Sequence, residues 1–195
     1  MTNASKGKTK VKAKVAKKLR LGIKIAGEVN QGMYEYVLET AVAYINTRAE
    51  YSGITLYITS DGGSLDFAFA ICDILKSLKT SIYTVAIGSC CSAATMIFAL
   101  GEKRFASKDI FYLLHTGRIG YEGLLVGNTL KDITSLIDVN NTRFKKCLQS
   151  EEYTPEFNKL LEDIFDTHKE VIVSCDDLIK YKVVTDVYDD FTLAI

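Results

Sequence analysis

The chain has 195 residues, 48% of them apolar, so one domain with a sizeable core fits and a disordered polymer does not. Its cysteines (Cys72, Cys90, Cys91, Cys147 and Cys175) are odd in number and irregular in spacing, which excludes a disulfide framework and a CxxC metal knuckle. A reducing compartment, the cytoplasm, is expected. The formal charge is zero, but residues 1–20 carry eight basic side chains and no acid, which leaves residues 21–195 at −8.

That basic arm reads as a solvated tail, with nucleic acid, an acidic partner or an anionic membrane as the surfaces it could touch. No apolar h-region follows its lysines, so a secretory signal is not expected. No apolar run approaches the ~20 residues that cross a bilayer, and no membrane role is expected. Residues 21–195 read as one domain, with 1–20 as its flexible arm.

Leu21 to Val29 alternates loosely and reads as a strand. Residues 31–49 place Met33, Tyr36, Val37, Ala41 and Ile45 at helical spacing. Ile54 to Thr59 is a β-branched and aromatic strand, stopped by Ser60-Asp61-Gly62-Gly63. A helix is expected from Leu65 to Leu78, a strand from Ile82 to Ile87 ended by Gly88-Ser89, and an alanine-rich helix from Ser92 to Leu100. Short strands follow at Arg104–Ala106 and Ile110–Leu114, then a loop marked by Gly117, Gly120, Gly123 and Gly127. Helices are expected over 129–149 and 155–168, the second opened by Pro155. Val171–Val173, residues 176–181 and Val183-Val184 complete a strand, helix and strand. Strand–helix alternation of this kind predicts an α/β layered core.

Three of these punctuation points carry chemistry. His115, one of only two histidines, ends an apolar strand where one ring nitrogen can face a cleft. Ser92 opens a helix after a strand, a glycine and three small residues, a position equally natural for a plain N-cap. Ser89, Cys90 and Cys91 are rival nucleophiles in the same turn. Gly62-Gly63 lets backbone N–H groups approach a carbonyl oxygen, although a glycine pair alone is more often a turn. GxSxG is absent, so a hydrolase nucleophile elbow of that type is not supported.

In their order, these segments resemble the ClpP family of Clp protease proteolytic subunits. Its Ser-Pro-Gly-Gly-Ser stretch is similar to Ser60-Asp61-Gly62-Gly63-Ser64, and its nucleophile segment to Gly88-Ser89-Cys90-Cys91-Ser92. Its histidine and following Gly-Tyr-x-Gly resemble His115 and Gly120-Tyr121-Glu122-Gly123, and its C-terminal Ser-Ala segment resembles Ser174 to Thr185. The resemblance covers residues 20–187. It implies the ClpP/crotonase fold, an α/β architecture of stacked β-β-α units, with residues 129–149 as a projecting handle helix.

The resemblance also implies a serine endopeptidase acting on peptides or unfolded proteins without metal or cofactor. Ser92 would be the nucleophile and His115 the base, with oxyanion donors from Gly62 or Gly63 and from Ala93. Substrate would lie along Gly117, Ile119, Gly120 and Tyr121. The third member would be Glu170, where the family has an aspartate, with Asp166 as its rival. Identical subunits would form a ring, a heptamer or stacked heptamers, with an AAA+ unfoldase as a further partner. The family's N-terminal pore segment is not recognisable here; the lysine-rich arm stands in its place. Alternative readings are a virus-type maturation protease on this fold, a non-catalytic ring subunit, and an acyl-CoA-processing relative, the last two disfavoured by the retention of both Ser92 and His115.

Overall fold

A computed structural model of the chain describes residues 19–118 and 129–188. The basic arm through residue 18, and Ile119, Gly120 and Tyr121 of the proposed substrate strand, lie outside the described residues. Alternation places Ile23, Ile25 and Val29 of β1 (Leu21–Val29) in the core. The Asn30 side chain then accepts from the Met33 N–H at 3.1 Å and starts α1 (Gln31–Thr47), which buries Met33, Val37, Ala41 and Tyr44. This helix ends earlier than its pattern predicts, and Arg48–Glu50 tightens into a 3-10 turn.

Strand β2 (Ile54–Gly63) leads into α2 (Leu65–Ser77), which Ser64 caps. Strand β3 (Ile82–Cys91) leads into α3 (Ala93–Phe98), whose every residue is buried. The chain continues through β4 (Lys103–Ala106) and β5 (Phe111–Leu114) to the long α4 (Thr129–Leu148). Thr154 caps α5 (Pro155–Thr167), which is followed by β6 (Val171–Val173), α6 (Cys175–Lys180) and β7 (Asp186–Val187).

Strands β1, β2, β3, β4 and β7 lie side by side in parallel. Strand β3 serves two neighbours in turn. Its Tyr83–Ala86 stretch pairs with β4, and Ser89–Cys91 pairs with β5, which runs antiparallel to β6. Gly88, at φ +74°, lies between the two pairings, where a side chain would strain the turn. Strand β2 therefore runs through Gly62 to Gly63, and β3 runs past Gly88, because β1 and β5 offer them partners there. Helices α1, α2 and α3 pack together, and with the sheet they enclose one apolar core.

The α/β layering and the projecting helix agree with expectation. Helix α4 buries only Asn141, Phe144 and Leu148, while Leu130, Leu136 and Val139 nearer its start are exposed. The last strand is a correction. Val183 and Val184 are not a strand, since both N–H groups return to the Leu178 carbonyl at 2.9 and 3.1 Å and close the end of α6. Pairing with β4 falls instead to Asp186–Val187.

Arg20, counted with the basic arm, is built into the body. Its guanidinium donates to the carbonyls of Ile54 at 2.6 Å and Ser81 at 2.7 Å, and stacks over the Tyr83 ring. Arg104 is buried and ties β4 to the C-terminal segment, donating to the carbonyls of Val183 at 2.7 Å, Gly101 at 2.6 Å and Lys182 at 3.1 Å. Replacing it strands several buried acceptors, each costing roughly 1–3 kcal/mol. Arg104→Met is expected to lower stability by about 3 kcal/mol, read as a shifted denaturant midpoint at unchanged slope. A shift below a quarter of that would show the network to be dispensable.

Candidate active site

Strand β3 delivers Ser92 to a turn with φ 53° and ψ −127°, a conformation that non-glycine residues seldom adopt and that costs of order 1–3 kcal/mol. The surrounding backbone enforces it. The Ser92 N–H donates to the Leu113 carbonyl at 2.9 Å, which locks the turn to the end of β5 two residues before His115. The Ser92 carbonyl accepts from both the N–H and the hydroxyl of Thr95, at 2.9 and 2.6 Å. Ser92 makes no side-chain cap to α3, so the plain N-cap alternative does not hold.

Gly62 presses against this turn, and Gly63 against the end of β1. A Cβ on Gly62 would stand 2.7 Å from the Ser92 Cβ, and one on Gly63 would stand 2.5 Å from the Val29 carbonyl oxygen. With φ of +98° and +145°, both are positions for glycine. Their N–H groups differ. That of Gly62 donates to the buried Ser60 hydroxyl at 3.1 Å, and that hydroxyl donates to the Gly27 carbonyl at 2.5 Å. Gly63 lines the same cleft as Ser92, whereas Gly62 lines the neighbouring recess.

Ser92 and His115 share the walls of one cleft of about 500 Å³, together with Gly63, Gly117 and Arg118. Leu65 from α2 and Leu136 and Ile137 from α4 supply apolar wall, which suits a substrate side chain beside a polar reaction centre. Ala93 is buried and follows Ser92 directly. Ser89 lies in the separate recess with Glu28 and Asp61, away from His115. The cysteines fare no better as nucleophiles. Cys90 is wholly buried and its thiol pKa is pushed well above the ordinary range by that burial. Burial, and secondarily the Asp61 carboxylate, raise Cys91, whose thiol points at the Phe111 carbonyl.

Neither candidate carboxylate touches the imidazole. Glu170 forms an ion pair with Arg118 at the cleft. Asp166 lies 4.0 Å from Lys145, in a recess it shares with Asn141 and His168. The Nδ1 atom of His115 faces the Thr116 carbonyl at 2.6 Å instead. The Gly117 N–H donates to Asn141 Oδ1 at 2.7 Å. Arg118, Thr116 and Asn141 were not singled out from the sequence. Asn141 had a signal: it interrupts an apolar stripe at the position three before Phe144, where the helix meets the body.

Thiol chemistry tests whether the turn's cysteines are inert. Iodoacetamide on the native protein at neutral pH is expected to leave Cys90 unmodified and to alkylate it fully after denaturation, as read by peptide mass spectrometry. Native modification of Cys90 would restore it as a nucleophile candidate.

Residues 6–190 match the family model described as Clp protease. The chain is 26% identical over 163 residues to the ATP-dependent Clp protease proteolytic subunit 2 of Treponema denticola, covering 83% of this chain and 78% of that one. It is 32% identical over 104 residues to the subunit of the same name from Borreliella burgdorferi, and 27% identical over 104 residues to that from Treponema pallidum. In both of these the match spans about half of each chain, 52%. With the α/β layers and the serine–histidine cleft of the structure, these likenesses identify the chain as a member of the Clp protease family, a Clp-type serine peptidase.

Proposed function

We propose that the cleft hydrolyses peptide bonds of extended chains through an acyl-enzyme on Ser92. The observation that carries this reading is the convergence of Ser92 and His115 on one cleft from strands far apart in sequence. The Ser92 Oγ adds to the scissile carbonyl while His115 Nε2 takes its proton. The resulting oxyanion lies between the N–H groups of Gly63 and Ala93, Gly62 being the weaker donor because Ser60 engages it. His115 then protonates the departing amine, and water repeats the sequence to free the acid. No step asks for a metal or cofactor.

The third role falls to Glu170 or Asp166. Spacing to the Ser174 segment points to Glu170, and its ion pair with Arg118, which lines the cleft with His115, keeps it at the rim of that cleft. Asp166 is the rival: its link to Lys145 is loose, and its recess reaches Asn141 but not His115. Substrate runs along Gly117 and onward through Ile119, Gly120 and Tyr121, added as a strand.

Self-association into a ring chamber supplies a cover for the apolar residues at Leu130, Leu136 and Val139 of α4 and at Val42 and Ile45 of α1. A heptamer or stacked heptamers, with an AAA+ unfoldase as feeder, is the assembly that the resemblance to the ClpP family implies, and the relatives' name, ATP-dependent Clp protease proteolytic subunit 2, supports an ATP-driven partner. Among the described residues no helix is long and apolar enough to cross a membrane, and the cysteines are free thiols, which suits work in the cytoplasm.

A fluorophosphonate probe is expected to label Ser92 and to lose that labelling in Ser92→Ala. Persistent labelling of the variant moves the nucleophile elsewhere. Glu170→Gln is expected to reduce kcat by about a hundredfold or more, with Asp166→Asn within about tenfold of the parent. The reverse ranking moves the third role to Asp166.

A further inference from the structure

The peptide unit joining Thr116 to Gly117 is held at both ends. Its carbonyl faces His115 Nδ1 at 2.6 Å, and its N–H donates to Asn141 Oδ1 at 2.7 Å. A carbonyl oxygen only accepts, so the Nδ1 opposite it carries the proton. A neutral imidazole protonated at Nδ1 has its lone pair on Nε2, the form a general base needs. In a planar trans peptide the C=O and N–H point in opposite directions, so fixing one aims the other.

Asn141 fixes it from an unusual place. It is 7% exposed, on the face of α4 that otherwise buries Phe144 and Leu148 against the body. A buried amide costs stability unless it is bonded, and an apolar residue would pack there without that demand. The contact is close-fitting as well. A Cβ on Gly117 would stand 3.1 Å from Asn141 Oδ1 and 2.9 Å from Leu65 Cδ1, so a larger residue would have to displace one of those side chains. Thr116 is itself buried, which keeps water from replacing its carbonyl as the imidazole's partner.

We propose that Asn141 is a positioning residue for His115: it orients the Thr116–Gly117 peptide so that the Thr116 carbonyl holds the imidazole as its Nδ1–H tautomer. This rests on His115 being the base of the cleft for its catalytic consequence, but not for its tautomeric one. Asn141 thereby acts on the imidazole through a single peptide plane, without lining the cleft itself. No bond is made or broken by Asn141; it sets which ring nitrogen carries the proton.

The test compares the full-length protein with Asn141→Leu, which keeps the volume and loses the acceptor, and Asn141→Asp, which keeps the acceptor. Histidine-selective 15N labelling reads the tautomer directly, and His168→Gln assigns the two ring systems. The parent and Asn141→Asp are expected to show His115 as the Nδ1–H form at pH 8. Asn141→Leu is expected to move most of the population to Nε2–H and to lower kcat on a chromogenic peptide about tenfold, with KM within twofold. An unchanged Nδ1–H signal in folded Asn141→Leu overturns the proposal, as does failure of Asn141→Asp to retain the parental tautomer. A tautomer shift with no peptidase activity in any protein, the parent included, upholds the role of Asn141 while removing the hydrolytic reading.

Discussion

Everything at the serine–histidine cleft depends on a close approach of backbone to backbone. The ends of β1, β2 and β3 meet where no Cβ fits on Gly62 or Gly63, and that meeting forces Ser92 to a left-handed φ. The strain at Ser92 persists because its N–H is held by the Leu113 carbonyl and its own carbonyl by Thr95. Relaxing the turn would break those bonds and swing the hydroxyl away from the cleft. The same contacts that strain the serine also set its distance from His115, since Leu113 belongs to the strand that ends there. Stability and chemistry are therefore coupled through one short piece of chain.

Most of the layered core was legible because its signals are local. Alternation in β1, β-branched density in β2 and the spacing of Ala68, Ile71, Cys72 and Leu75 in α2 each follow from burying one face. The misread positions are those where a hydrogen-bond partner outside the short run itself decides, near in the chain for one and distant for the others. Val183 and Val184 look like strand, but the Leu178 carbonyl captures their N–H groups. Gly62-Gly63 and Gly88-Ser89 look like stops, yet β1 and β5 continue the pairing through them. No local pattern announces a neighbour that arrives from elsewhere in the fold.

At the site, the meeting of Ser92, His115 and Gly63 in one cleft was legible because each stands at the end of an apolar run, and the fold gathers such ends together. The partners of the candidate carboxylates were not. Counting residues back from Ser174 favoured Glu170, but a count cannot see that Arg118 lies within reach of it. Asn141 showed only as a polar break in the apolar stripe of its helix. What that break contacts is decided when the helix docks and encloses it beside Gly117. Helix α4 therefore has two jobs of different visibility: an exposed apolar end suited to self-association and a buried amide facing the histidine loop.

The central claim is that one hydroxyl and one imidazole act on the same carbonyl. A peptidyl chloromethyl ketone with an apolar end residue measures this directly, because Ser92 Oγ must add to its ketone to bring the methylene carbon onto His115 Nε2, which displaces chloride. Peptide mass spectrometry is expected to find the adduct on His115 and not on His168, and to find it lost in Ser92→Ala. Alkylation of His168 alone, or equal alkylation of His115 in the absence of the serine hydroxyl, would contradict a shared site.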